Sequence, residues 1–170
     1  VFAATGGVLF GALTALYRNR LPDYLIMFLV ILGISVPSFV VAALSQLSLV
    51  SLNSLVGFTL LPVAGWGTVM HMLVPALVLG LSTMAYLTRL MRSSMLEVTS
   101  SDYVRTAKSK GVPPTRIFTR HQLRNAILPV VTVLGPAIAA ITTGGFVVEL
   151  VFAIPGLGRY FVEAVQQLDY

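Results

Sequence analysis

The sequence contains no cysteine, and only 10 % of its 170 residues are charged. The lack of cysteine excludes disulfides, catalytic thiols and thiolate-bound metals among these residues. A soluble domain carries about 25 % charged residues, so this chain lacks the polar surface that a water-soluble fold needs. Hydrophobic residues make up 56 %, and the mean hydropathy is +0.90. This is the composition of an integral membrane protein.

Two long stretches contain no Asp, Glu, Lys or Arg, namely Tyr24–Thr88 and Asn125–Val148. A bilayer core requires about 20 apolar residues per helix, so the longer stretch accommodates two spans with a connector and the shorter accommodates one. The N-terminal stretch is also apolar. Four spans are therefore predicted, at about residues 1–16, 24–48, 71–90 and 126–150. We expect an all-α, polytopic transmembrane bundle that forms one domain, residues 1–170, with a kink at Pro37 in the second span.

Positive charge is concentrated on one side of the predicted spans, and Lys and Arg mark the cytoplasmic side of membrane proteins. The loops on that side and their borders hold ten of the eleven basic residues, which are Arg18, Arg20, Arg89, Arg92, Arg105, Lys108, Lys110, Arg116, Arg120 and Arg124. Only Arg159 is predicted on the other side. We therefore predict a multi-pass protein of the cell (inner) membrane with these loops in the cytoplasm. The net charge of +5 then reflects topology, and no nucleic-acid partner is expected.

The segment at about residues 93–124, called the basic loop from here on, is the most polar part of the chain. Its stretch "RTAKSKGVPPTRIFTRHQLRN", from Arg105 to Asn125, carries six basic residues and no carboxylate. Each Lys or Arg at a bilayer centre costs about 2.5–3.5 kcal/mol on insertion. The basic loop must therefore lie in water or against a partner.

Local signals predict two short helices in the basic loop. Asp102 suits the first turn of a helix, where negative charge is favoured. Gly111 is typical of a helix stop, and Pro113-Pro114 prevents the helix from continuing. Thr115 begins a second apolar pattern of helical spacing. Two short helices joined by a Gly-Val-Pro-Pro turn indicate a docking element.

The stretch "SSMLEVTSSDYVRTAKSKGVPPTRIFTRHQLRNAILPVVTVLG" resembles the cytoplasmic loop of permeases from binding-protein-dependent ABC importers, in the dipeptide, oligopeptide and nickel branch. That family carries a Glu-Ala-Ala signature followed, after three residues, by Gly. The corresponding residues are Arg105, Thr106, Ala107 and Gly111, and the closing Leu-Pro is Leu128-Pro129. Arg-Thr in place of Glu-Ala, and the long gap before Pro129, are both usual in the peptide branch. The stretches "LPVAGWG", "RLMRSSMLEV" and "GGFVVELVFAIPGLGRYFVEAV" resemble the same branch.

The resemblance implies a type I importer permease with about six spans, so the first helix, its external segment and the last helix are expected to be missing here. It implies that two permease subunits form the pathway within the lipid bilayer. A cytoplasmic ATP-binding subunit, which holds the ATP and Mg, would grip each basic loop. Closure of those subunits would switch the pathway between inward- and outward-facing states. An extracytoplasmic solute-binding protein would deliver the solute.

The resemblance also implies which residues couple the permease to the ATPase. Ala107, with Ile117 or Phe118, is expected to form a packed apolar knob. Three arginines are expected to act as polar clamps, and Gly111 sets the angle of the loop. The full set is Arg105, Thr106, Ala107, Gly111, Arg116, Ile117, Phe118, Arg120 and Pro129.

No catalytic or cofactor site is predicted in the chain. It has no Gly-x-x-x-x-Gly-Lys-Ser/Thr segment to bind nucleotide phosphates, and no pairing of a nucleophile with a base is visible. His71 and His121 are predicted on opposite sides of the membrane and cannot share a metal. We therefore expect a transport subunit that is not an enzyme and that binds no cofactor or metal itself.

Two other functions stay open at this point. A membrane anchor or scaffold protein would use the basic loop to bind anionic lipid, at about 1 kcal/mol per base, or another partner. An ion-coupled carrier needs carboxylates within its spans, and the spans offer only Glu149, which we expect at the outer interface in water or paired with Arg159. The solute is open among dipeptides, longer peptides, nickel chelates and glycans. The pathway-lining residues are also open, as is whether the second permease is identical or a paralogue.

Overall fold

The computed structural model describes residues 1–167, with the backbone alone at positions 143, 144 and 159. Within this range the chain is helical and has no strand, which confirms the predicted all-α class. The α-helices are α1 Phe2–Leu16, α2 Leu21–Ser35, α3 Ser38–Val56, α4 Val69–Ser100, α5 Asp102–Ser109, α6 Pro114–Arg116, α7 Arg124–Gly144, α8 Phe146–Val151 and α9 Leu157–Gln166. A π-helical segment, Ile117–Leu123, joins α6 to α7.

Three helical stretches among the described residues are long and apolar enough to cross a membrane, and they are Ser38–Val56, Val69–Ser100 and Pro114–Thr142. The helices α1 and α2 are apolar but have 15 residues each. At about 1.5 Å per residue, the 32 residues of α4 extend about 48 Å, whereas a hydrocarbon core is about 30 Å thick. Part of α4 therefore extends beyond the bilayer core.

Two of the predicted spans are interrupted in the structure, one at Pro37, which has no N–H donor, and one at Gly145, which has no side chain. The span predicted at residues 24–48 is divided into α2 and α3, because Pro37 has no N–H and holds an extended ψ of 140° before α3. The expected kink is thus a break. The span predicted at residues 126–150 is likewise divided at Gly145 into α7 and α8. In contrast, α4 continues ten residues past its predicted end at residue 90, because no Gly or Pro follows until after Ser100.

The described chain divides into two compact units. The first comprises residues 1–35 and 82–137, and the second comprises residues 36–81 and the described residues from 138 onward. The core of the first unit is formed by Ala12, Leu87, Met91, Met95, Ala126 and Val130. Two glycines in α1 permit close contact with α4 in this core. A Cβ on Gly7 would lie 2.6 Å from the Cβ of Leu87, and a Cβ on Gly11 would lie 2.5 Å from the Cβ of Met91.

The second unit has its own apolar core, formed by Ala42, Val78, Val148 and Phe152. The partly buried side-chain amide of Gln46 ties its segments together. The Gln46 Nε2 donates to the carbonyl oxygen of Val151 at 2.7 Å and to that of Val63 at 3.3 Å. The Gly65 N–H donates to the Phe152 carbonyl at 2.8 Å. The end of α8 is thus held by α3 and by the loop that follows α3.

Glu149 has a defined partner in the second unit. Its Oε2 accepts a hydrogen bond of 2.8 Å from the N–H of Gly158, in the first turn of α9. A carboxylate is favoured at that end of a helix, where free N–H groups point outward. The expected alternative partner, the Arg159 side chain, lies outside the described residues.

Candidate docking surface of the basic loop

Helix α5 begins and ends where local chemistry requires. It starts at Asp102, and its final turn closes through two hydrogen bonds, Gly111 N–H to Lys108 O at 3.0 Å and Val112 N–H to Ala107 O at 3.2 Å. This pattern is a Schellman motif, which needs a left-handed residue after the helix. Gly111 supplies it with φ 72°. The direction of the chain after α5 is therefore set by one glycine.

Three apolar residues of the basic loop are buried against the rest of the chain. Val104, Ala107 and Ile117 are buried in one cluster, with Val98 of α4 and Val112 packed against it. The predicted partners Ala107 and Ile117 do lie together, but their side chains contact the chain's own residues. Burial of this cluster fixes α5 against the end of α4.

Phe118 lies apart from that cluster. It is half-buried and packs against the core of the first unit, which contains residues of α1, α4 and α7. Phe118 therefore attaches the basic loop to the helical bundle. Pro129 is exposed within α7, one turn after the helix begins.

The outer face of the basic loop is polar and strongly basic. The exposed predicted residues are Arg105, Thr106, Gly111, Arg116 and Arg120, and Lys108 and Lys110 are exposed beside them. The Arg105 Nη1 lies 3.7 Å from Asp102 Oδ1, and the two side chains are 72 % and 98 % exposed. An ion pair this exposed contributes little to stability. This face can bind an anionic surface through several charge-assisted hydrogen bonds.

Two side-chain hydrogen bonds that the sequence did not reveal hold the second half of the loop. The Gln122 Nε2 donates to Thr99 Oγ1 at 3.1 Å, and the Asn125 Nδ2 donates to the Tyr103 hydroxyl at 3.0 Å. Gln122 is buried in the π-helical segment.

The predicted second helix is continuous with α7, because the chain passes from α6 through a π-helical segment into α7 without a break. Such segments are uncommon and often lie at functional sites.

An ion pair with a buried carboxylate joins Asp23 of α2 to Arg92 of α4. The Arg92 Nε and Nη2 donate to Asp23 Oδ1 and Oδ2, each at 2.8 Å, and the Asn19 N–H donates to Oδ2 at 3.0 Å. The Asp23 side chain is 3 % exposed and that of Arg92 is 24 % exposed. The Arg92 guanidinium holds the pKa of the Asp23 carboxyl, in the hairpin before the predicted second span, below its ordinary value. No sequence signal connects two residues 69 positions apart, so this pair was not predicted.

These residues support binding and positioning. Among the described residues, no group of three or more His, Cys, Asp or Glu is placed to hold a metal ion. The arrangement offers a folded, cationic surface attached through α4 and α7 to the helical bundle.

Comparison with known proteins gives consistent matches along the chain. A family model described as binding-protein-dependent transport system inner membrane component matches residues 7–170. The dipeptide transport system permease protein DppB of Bacillus subtilis (strain 168) is 47 % identical over 170 residues, which is 100 % of this chain and 54 % of that protein. The oligopeptide transport system permease protein OppB of Haemophilus influenzae is 43 % identical over 171 residues, 99 % of this chain and 54 % of that protein. OppB of Escherichia coli (strain K12) is 40 % identical over 166 residues, 96 % of this chain and 53 % of that protein. The chain spans about half the length of the curated relatives it matches.

Proposed function

Because the chain belongs to the family of binding-protein-dependent transport system inner membrane components, we propose that it is the permease part of an ATP-driven importer. The imported solute is a peptide or a related small solute. The names of the relatives, which refer to dipeptide and oligopeptide transport, support this class of solute.

In the proposed importer, the basic loop lies in the cytoplasm and docks on an ATP-binding subunit. That partner holds the ATP and Mg and carries out hydrolysis. A second permease subunit completes the pathway, and an extracytoplasmic solute-binding protein delivers the solute. Closure of the ATPase moves the basic loop, and the helices attached to it alternate between inward- and outward-facing arrangements.

The observation that carries this proposal is the folded, cationic face of the basic loop. The buried cluster of Val104, Ala107 and Ile117 and the Schellman turn at Gly111 fix the backbone beneath that face. Attraction to anionic lipid depends on charge near the surface and requires no fixed shape. Here the basic loop has a fixed shape at α5 and the turn at Gly111, with a buried apolar cluster beneath its charged face. Such a surface suits a protein partner with a complementary acidic surface.

The proposal is tested by co-purification of the ATPase with the full-length permease. Arg105→Gln with Lys108→Gln removes two positive charges from the exposed face of α5. Arg18→Gln with Arg20→Gln removes the same charge from the exposed hairpin after α1 and is the matched control. We expect the wild type and the hairpin variant to retain the ATPase, and the α5 variant to lose most of it.

Two results would contradict the proposal. A wild-type complex that contains no ATPase refutes it outright. Equal losses in the two variants, matched by equal losses of binding to vesicles that contain anionic lipid, favour the membrane anchor instead.

A further inference from the structure

We propose that the Asp23–Arg92 ion pair is a positioning device, which makes the hairpin of residues 17–23 and the start of α2 move together with the basic loop. This inference rests on the proposed function and deepens it. It assigns to two residues outside the basic loop a part in passing the motion of the loop to the membrane helices.

The first step is the number of donors that the Asp23 carboxylate gathers. It accepts two hydrogen bonds from the Arg92 guanidinium, both at 2.8 Å, and one from the Asn19 N–H at 3.0 Å. Asn19 has φ 60°, a conformation that Asn tolerates better than most residues. One carboxylate therefore fixes the tight turn after α1, the first turn of α2 and the side of α4 simultaneously.

The second step is the continuous connection from Arg92 to the basic loop. Helix α4 runs unbroken from Arg92 to Ser100, a rise of about 12 Å. Val98 of that helical end packs against the buried cluster of the basic loop, and Thr99 accepts the hydrogen bond from Gln122. A displacement of α5 is thus transmitted to α4 through packed side chains and a hydrogen bond, and α4 transmits it to Asp23.

The third step is that this ion pair differs from a solvent-exposed salt bridge, which contributes little to stability. The Asp23 side chain is 3 % exposed, so removal of Arg92 would leave a buried carboxylate with only the Asn19 N–H. Such an unpaired charge is strongly unfavourable, which keeps the pair closed while α4 moves. The planar guanidinium fork also restricts rotation of the hairpin about α4, which a single hydrogen bond would permit.

The experiment uses the complete importer in proteoliposomes, with the full-length permease, its partner permease, the ATPases and the solute-binding protein. The readout is solute imported per ATP hydrolysed, normalised to the amount of assembled complex. The variants are Asp23→Asn, Arg92→Gln and the double variant of both. Arg89→Gln, which removes one exposed arginine three residues earlier on α4, is the control.

We expect each single variant to lower the ratio by about 2- to 30-fold, the range of mutations that lie on a coupling path. The double variant should fall no further than the worse single variant, because each residue acts through the other. Arg89→Gln should match the wild type. Where a neutral variant fails to assemble, Arg92→Lys replaces it, since it keeps the charge and loses the fork. It is expected to lower the ratio as well.

Three results overturn the inference. In the first, the single variants reduce only the yield of complex and leave the ratio per complex at the wild-type value, as a purely structural pair would. In the second, the losses of the single variants multiply in the double variant, which shows that the two residues act independently. In the third, Arg92→Lys assembles and equals the wild type. An assembled wild type that hydrolyses no ATP instead refutes the proposed function, and the inference with it.

Discussion

The sharpest prediction concerns Gly111, where backbone conformation can be separated from side-chain crowding. Gly111 has φ 72°, yet a Cβ built on it would meet nothing within 4 Å. Gly111→Ala therefore introduces backbone strain of about 1–2 kcal/mol and no steric clash. If the turn relaxes to avoid that strain, the hydrogen bond from the Val112 N–H to the Ala107 carbonyl breaks, and the chain leaves α5 in a different direction.

The expected consequence is a weaker complex with the ATPase. Since 1.4 kcal/mol corresponds to a factor of ten, the strain predicts a dissociation constant about 5- to 30-fold higher. The assay is titration of the isolated ATPase against the solubilised full-length permease. Gly111→Asn should lie between the wild type and Gly111→Ala, because Asn adopts this conformation more readily than Ala.

The chain provides a matched control for this measurement. Gly57, which ends α3, has φ 77° and also has nothing within 4 Å of its added Cβ. Gly57→Ala therefore introduces a similar strain away from the basic loop. A dissociation constant for Gly111→Ala within twofold of the wild type would refute the reasoning. An equal loss in Gly57→Ala would refute it as well, since the effect would then be general destabilisation.

Three further predictions concern packing and a buried hydrogen-bond acceptor. Gly11→Ala should destabilise the first unit by about 1–3 kcal/mol, measured as a lower Tm, because its Cβ would lie 2.7 Å from the Thr88 carbonyl oxygen. Gln46→Leu should cost about 1–3 kcal/mol, seen as faster proteolysis of residues 57–68, because the Val151 carbonyl loses its donor. Ala107→Leu should overpack the buried cluster by about 1–3 kcal/mol, seen as faster amide exchange in α5.

The predictions for Gln46 and Ala107 each have a neighbouring control variant. Ser48→Ala removes a hydroxyl that bonds only within its own helix, at the exposed face of α3, and should leave the proteolysis rate unchanged. Thr106→Leu adds bulk at an exposed position of α5 and should leave amide exchange nearly unchanged. A wild-type Tm for Gly11→Ala would show that α1 and α4 can separate enough to accept the extra methyl group.

Features set by a few neighbouring residues could be predicted from the sequence. The start of α5 at Asp102 and its end before Gly111 follow from helix-end chemistry that involves only nearby residues. The all-α class followed from composition and run length. The break at Pro37 was predicted only as a kink, because the sequence shows the missing N–H donor but not whether the helix bends or ends there.

Features that depend on distant residues could not be predicted. Asp23 and Arg92 both suited a membrane interface, and nothing in the sequence indicated that they bind each other. The burial of Gln122 was equally hidden, because its partner Thr99 lies on another helix. The resemblance singled out Ala107 and Ile117, but the sequence did not indicate that both are buried beside Val98 of α4.

The burial of Ala107 and Ile117 bears on which forces would drive the proposed docking to an ATPase. An apolar knob presented to the ATPase would bind mainly through buried apolar surface, which salt does not screen. In the structure Ala107 and Ile117 are buried, and Arg105, Arg116 and Arg120 are exposed. Attraction through such exposed charges is screened over about 8 Å at physiological ionic strength and over about 3 Å at 1 M salt. In the proposed docking, Ala107 and Ile117 would therefore hold the basic loop in shape, and the exposed arginines would recognise the partner.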